Sequence, residues 1–495
     1  MEFIVNSINS IVWSGSLIYL CLGSGIFFSI ATRFPQLRLF REMLRLLFDG
    51  KESAHGVSSF QALSIAISGR VGTGNIAGVA TAIALGGPGA IFWMWVIAFL
   101  GSASAYVEAT LGQIYKEVRG GEYRGGPTYY IEKGLRMPRY AMVFAFTTIV
   151  AMAIFLPGVQ ANGIASSVES AFEIPKWATG GVICVLLGMV VFGGVRRIGH
   201  VAQVVVPFMA TAYILVSLVV IALNIERVPE VFMLIVRSAM GAEQAFAGVI
   251  GLAISWGVKR GIYSNEAGQG TAPHAASAAE VSHPAKQGLV QAFSVYIDTL
   301  FVCSATAFMI LFTNSYNVED PNNPGAFLVE NLPGAEIGPA YTQAAISSEF
   351  AGWGAPFIAI TLTFFAFTTL MAYYYIAETN VAYLDKRGDR RWMIGLLRVV
   401  ILGASFYGAI SSAGFVWTLG DIGVGLMAWL NILAIIMLRK PALKALRDYC
   451  DQRADGMDPT FNPVELGIEG ADFWEAKYAS DAATSTHDDE GRTTP

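Results

Sequence analysis

Eleven stretches of the chain are long, apolar and almost free of charge, approximately 11–32, 60–83, 89–115, 140–162, 177–193, 199–223, 244–274, 286–313, 352–381, 392–411 and 415–438. Most reach the roughly 20 residues that a helix needs to cross a hydrocarbon core about 30 Å thick. None alternates polar and apolar positions as a barrel strand would. Backbone groups in lipid must satisfy one another, so such runs predict helices, here spans 1 to 11 of an all-α polytopic membrane protein with about 11 transmembrane helices.

Composition agrees. Of 495 residues 54% are hydrophobic and only 14% charged, against about 25% charged in soluble domains, which excludes soluble, disordered and disulfide-scaffold classes. A net charge of −5 without a basic stripe argues against a nucleic-acid partner. Cys21, Cys184 and Cys303 lie in apolar runs far from each other and from Cys450, and read as small core residues. The start, MEFIVNSINS, has no basic flank or cleavage site, so the first run is expected to be retained.

Lys and Arg are distributed unequally. Twenty-five of the 32 fall in or beside the loops after spans 1, 3, 5, 7 and 9 or in the tail, whereas the opposite loops hold only Lys176, Arg227 and Arg237. The positive-inside rule then puts the N-terminus outside and the C-terminus in the cytoplasm. Leu37, Phe40, Met43, Leu44 and Leu47 share one helical face opposite Arg38, Arg41, Glu42 and Arg45, predicting a helix along the inner membrane surface. The connection 314–350 carries five acids and no Lys or Arg, fitting an external cap. The tail beyond about Arg453 turns polar and acidic, and its last part, ending SDAATSTHDDEGRTTP, is expected to be disordered.

Two spans should not be continuous. Gly72, Thr73, Gly74 and Asn75 put helix breakers at the middle of span 2, and span 7 holds Ser264, Asn265 and Glu266 among Gly257, Gly261, Gly268 and Gly270. Unwound backbone at membrane depth survives only where protein or a cavity surrounds it, so a break marks a polar site. Half-helix N-termini suit a carboxylate and freed carbonyls suit a cation, so one site can hold a zwitterion beside Na⁺. Spans 2–6 and 7–11 each open with a break, and an odd group size inverts the second group. That predicts a 5+5 inverted repeat, with 1–57 as an added span and interfacial helix, 58–225 and 226–440 as the two repeats, and 441–495 as a cytoplasmic tail.

The segments SGRVGTGNIAGVATAI, GGPGAIFWMWVIAFLG and RGIYSNEAGQGTAPHAA resemble signature segments of the alanine/glycine:cation symporter family, also called sodium:alanine symporters. The resemblance runs through all the spans and implies a leucine-transporter type fold that carries a small neutral amino acid, alanine or glycine, with Na⁺ or less often H⁺. RVGTGN also resembles the broken helix of the wider neurotransmitter:sodium symporters. By that likeness Thr73 and Gly74 hold the substrate carboxylate, Asn75 serves cation or substrate, and the carbonyls of Ser68 and Val71 with the hydroxyls of Thr368 and Thr369 form a sodium site. The competing reading has those threonines bonding only to their own helix.

Asp298, midway along span 8, is costly in a membrane and so a functional candidate: a second cation or proton site, or an ion-pair partner of Arg70, Lys259 or Arg260. Glu266 is a candidate for the substrate amine, and Gln160, with Asn162 beside it, for a substrate contact or an interhelical hydrogen bond. Glu108 and Glu378 read as structural partners. No HExxH or phosphate-loop pattern is present, so no enzyme activity or cofactor is expected and an ion gradient is the predicted energy source. The sequence thus points to a sodium-coupled symporter of alanine or glycine in a plasma membrane, the bacterial inner membrane by expectation, with membrane lipid as its surroundings. A proton-coupled carrier, a transport-like channel and a nutrient sensor are the alternatives.

Overall fold

Span 2 starts at a reciprocal cap: Gln61 N–H donates to Ser58 Oγ (3.2 Å) and Ser58 N–H to Gln61 Oε1 (2.9 Å). The helix runs Ser59–Arg70 and stops at Val71, whose ψ of 92° is extended. It resumes as a wide turn, Gly74–Gly78, and then as α-helix Val79–Gly86. This computed structural model describes residues 2–49, 55–192, 194–323, 325–385 and 391–477. Span 7 behaves alike. Its helix Ile250–Asn265 ends at Glu266 (φ 56°), and the chain turns through Gly268 (φ 82°) and Gly270 (φ 87°) before Ala272–Ala278. Glycine adopts positive φ at little cost, so the break lies where the sequence supplies it.

Eight helices among the described residues are long and apolar enough to cross a membrane, from Phe3–Ala31 to Ala413–Met437. Of the other three runs, two are the interrupted spans 2 and 7, and Lys176–Val191 is a shorter apolar helix. Span 4 widens at Ala151–Phe155 just before Pro157, which has no N–H to give the ladder. Span 8 widens at Tyr296–Cys303, around Asp298. Val204 and Phe208 on span 6 are each 68% exposed, as a lipid-facing surface requires.

The structure adds detail to three expectations. The interfacial segment is two helices, Pro35–Arg38 and Phe40–Leu46, divided at Leu39; Leu37, Phe40 and Leu44 are exposed while Met43 and Leu46 are buried. Residues 314–350 are a folded cap: strands Asn317–Glu319 and Phe327–Glu330 pair antiparallel, and helix Pro339–Glu349 packs on span 9. The tail is ordered well past Arg453. Helix Arg439–Ala454 buries Ala442, Ala445, Leu446 and Tyr449, and the following strap buries Phe461, Ile468, Ala471 and Trp474. Trp474 Nε1 donates to the Gln113 carbonyl at the end of span 3 (2.8 Å), and Lys477 pairs with Glu280 (3.0 Å). The expected disorder of the last residues, 478–495, lies outside the described part.

Candidate transport site

Both breaks are buried in the middle of the bundle and touch. A Cβ placed on Gly74 would stand 3.2 Å from Tyr263 Cδ1 and 3.4 Å from Ser264 Cα, so the span 2 break packs directly against the end of Ile250–Asn265. Within the break, Gly72 N–H donates to Asn75 Oδ1 (2.8 Å). Thr73 N–H (3.0 Å) and Thr73 Oγ1 (2.8 Å) both donate to Gln160 Oε1, which thus sits where a carboxylate oxygen would find the same two donors. Gln160 Nε2 in turn reaches Tyr373 Oη on span 9 (3.3 Å).

Span 9 brings Thr369 to the break. Its hydroxyl lies 3.4 Å from the Val71 carbonyl and also 2.9 Å from the Phe365 carbonyl of its own helix. Oxygens held about 2.4 Å from a central ion, the range seen around calcium, stand about 3.4 Å apart when adjacent in an octahedron. Thr368 Oγ1 points elsewhere, to the Phe365 carbonyl (2.9 Å) and Met209 Sδ (3.9 Å), and Ser68 Oγ donates to its own helix at Ile65 (2.7 Å).

Asp298 joins the two breaks. Its Oδ1 accepts from Asn75 Nδ2 (2.6 Å) and Ser264 Oγ (3.0 Å), and its Oδ2 from Thr299 Oγ1 (2.7 Å). Of the three cations weighed for it, Lys259 and Arg260 instead pair with Asp421 on span 11 (2.7 and 2.9 Å). Sequence reasoning misses Asp421, although a lone acid inside an apolar run is the signal for it. Arg70 donates to the Gln291 carbonyl (3.2 Å) and to Ser294 Oγ, and its Nε and Nη2 have no hydrogen-bond partner.

Glu108 is no ion-pair partner either. Its Oε1 accepts from Gly268 N–H (3.3 Å), and its Oε2 from Gly270 N–H (3.1 Å) and Asn431 Nδ2 (2.7 Å), which ties the span 7 break to spans 3 and 11. Glu378 does pair, with Arg124 (3.5 Å). Glu266 accepts from Thr271 Oγ1 (2.8 Å) and lies beside Gly69. Asn265 caps the break through Ala267 N–H (3.0 Å). Asn162 is drawn away from the break, its Nδ2 donating to the Gly408 (3.1 Å) and Ser411 (2.8 Å) carbonyls. Glu108, Glu266 and Asp298 are buried and each acts electrostatically on Arg70, although none is among its hydrogen-bond partners.

A cavity of about 330 Å³ leads to Thr73 from the side of the folded cap, between Asn162, Ser167, Gln343 and Trp417. Among the described residues no group of three His, Cys, Asp or Glu could hold a metal ion.

Residues 1–463 match the family model for the sodium:alanine symporter family. The chain belongs to that family. A sodium/proton-dependent alanine carrier protein of Bacillus sp. strain PS3 is 53% identical over 88% of this chain and 98% of its own length. The sodium/alanine symporter of Methanococcus maripaludis is 39% identical over 88% and 95%. A substrate-bound outward-open Na⁺-coupled sialic acid symporter superposes with a TM-score of 0.51 at 13% identity, covering 94% of this chain and 95% of that one, which is a likeness of fold. As a member of the sodium:alanine symporter family the chain is a multi-pass membrane transporter of the leucine-transporter type, and its relatives are carriers, not enzymes.

Proposed function

We propose that this transporter carries alanine and glycine into the cell together with Na⁺ by alternating access. The observation that supports it most is the meeting of both helix breaks at Asp298, through Asn75 from one and Ser264 from the other. The free ends around Gly72, Thr73 and Gly74 would take the substrate carboxylate in place of Gln160 Oε1. Glu266 would take the ammonium, with Asn75, Ser264 and Asn265 completing the surroundings, while Asn162 stays with the Gly408 and Ser411 carbonyls. Na⁺ would sit between the carbonyls of Ser68 and Val71 and the hydroxyl of Thr369, and Thr368 would join them only by turning its hydroxyl away from the Phe365 carbonyl.

Asp298, which side chains from both breaks reach, is where a second cation would go. A proton is the second reading for that cation, favoured by the name of the Bacillus sp. strain PS3 relative, which makes alanine carriage sodium/proton-dependent. One Na⁺ entering down 100 mV releases about 2.3 kcal/mol, enough for about a 50-fold solute gradient.

The same reading assigns 58–225 and 226–440 as inverted repeats. It puts the protein in a plasma membrane, the inner membrane in a bacterium, with the N-terminus outside and the C-terminus in the cytoplasm. Radiolabelled alanine and glycine uptake into proteoliposomes tests it. Uptake should follow an imposed Na⁺ gradient and stop when choline replaces Na⁺. Uptake driven by a pH gradient alone would replace sodium coupling with proton coupling, and non-saturating flux would indicate a channel.

A further inference from the structure

Where span 1 ends, the chain makes an abrupt turn, with Arg33 (φ 57°) and Phe34 (φ 50°) both left-handed. Such a conformation costs a residue with a side chain about 1 kcal/mol or more, so two in succession are held by their surroundings. The turn faces helix Arg439–Ala454 across a cavity of about 170 Å³ whose wall includes Arg33, Arg38 and Arg447. Among the described residues no carboxylate lies within ion-pair distance of these three. Other cations on this side do have carboxylates: Arg45 (2.8 Å) and Arg453 (3.2 Å) share Glu42, and Lys286 pairs with Asp458 (2.7 Å) and Asp49 (3.3 Å).

Arg38 spans the cavity, its Nη2 donating to the Thr32 carbonyl (3.4 Å) and its Nη1 lying 3.7 Å from Cys450 Sγ. Asp451 is the one acid on the wall, leaving two positive charges uncompensated. The rest of the wall is apolar, with Ala31, Leu443 and Leu446. Ile30, Phe34 and Leu37 are exposed beside it.

We propose that this cavity binds the phosphodiester headgroup of an anionic phospholipid. The three guanidiniums hold the phosphate oxygens, and the exposed apolar side chains lie along the acyl chains. Guanidinium suits phosphate because its planar donors form paired bonds, and it loses hydration more readily than an ammonium. Depth fits as well, because the site lies at the last turn of a membrane span, where headgroups begin. A free phosphate ion would meet the same arginines but would leave the apolar flank unused.

The test uses the full chain, purified in mild detergent, delipidated and titrated with phosphatidylglycerol under native mass spectrometry. Wild type should retain the lipid, and the Arg38→Gln/Arg447→Gln double variant should bind it about tenfold more weakly. Arg139→Gln/Arg237→Gln, an equal charge change elsewhere, should bind as wild type does. Phosphatidylcholine should not be retained, and inorganic phosphate at equal concentration should not displace the lipid. Ala31→Trp, which fills the cavity and keeps every arginine, should also lose the lipid. Equal retention by wild type and both cavity variants overturns the proposal. So does equal loss in the control pair, which means bulk charge, or displacement by inorganic phosphate, which means a small-anion site.

Discussion

Gly72→Ala tests whether the gap between the span 2 break and span 9 is where the cation is held. Gly72 has no positive φ, so alanine fits its backbone and the substitution is a test of space alone. The added Cβ would lie 2.5 Å from Thr369 Oγ1 and 2.9 Å from Gln160 Oε1, closer than the 3.0 Å that real Cβ contacts respect. The break and Thr369 must separate by on the order of 0.5–1 Å, at a strain of roughly 1–3 kcal/mol. The 3.4 Å between the Val71 carbonyl and the Thr369 hydroxyl then widens, and one oxygen leaves the ion. An interaction with a charged group is worth about 1.5–3 kcal/mol, so half-saturation by Na⁺ should rise about 10- to 150-fold. Alanine uptake into proteoliposomes across a Na⁺ titration reads this directly, and saturating Na⁺ should restore much of the rate. Thr369→Ala removes the nearer of the two atoms that clash. In that background Gly72→Ala should cost clearly less than alone, a coupling of about 1 kcal/mol or more. A Na⁺ dependence unchanged in folded Gly72→Ala protein, or strict additivity with Thr369→Ala, would refute the reasoning.

Asp298→Asn puts an amide nitrogen among three donors, so Na⁺-driven uptake should fall at least about tenfold while the protein still folds; near-normal uptake would remove Asp298 from the cation site. Glu108→Gln sets an N–H₂ against the N–H of Gly268 or Gly270 and should cost about 1–3 kcal/mol, read as a lower melting temperature in detergent, with no change counting against the tether. Asp421→Leu strands Lys259 and Arg260 in the interior and should cost about 3–5 kcal/mol, seen as loss of folded yield. Burial pulls the Lys116 amine down to about 7 from 10.5. Between those values the unfolded chain holds a proton the folded one lacks, so the packing of Trp474 over Lys116 should gain stability as pH rises from 7 toward 10 and lack that gain below 7. Hydrogen exchange of residues 471–477, corrected for intrinsic rate, should slow accordingly, and Lys116→Met should erase the trend.

The spans were legible because length and lack of charge are local properties, and the breaks because Gly72, Gly74, Gly268 and Gly270 announce themselves. Pairings across the fold were not. Asp298 stands 223 residues from Asn75, and Arg260 stands 161 from Asp421. Nothing local says which acid meets which donor. Glu108 illustrates the difficulty: near the end of a helix it suggests a salt bridge, yet its partners are backbone amides of glycines that have no side chain to advertise the contact. The packing of the tail was hidden for a related reason, since Phe461, Phe473 and Trp474 are a few aromatic residues in a polar stretch and the seat of Trp474 is built by spans far away in the chain.

Trp474 makes the C-terminal strap a seal on the end of span 3. A side chain of its size buries about 150–250 Å², or about 4–6 kcal/mol of apolar burial, and it is only 2% exposed. A conformation that parts the bundle at this end must either give up that adhesion or swing the strap along as a stiff flap. In the first case the protein's own terminus sets a toll on every turnover, and removing residues 455–495 would speed cycling while lowering heat resistance.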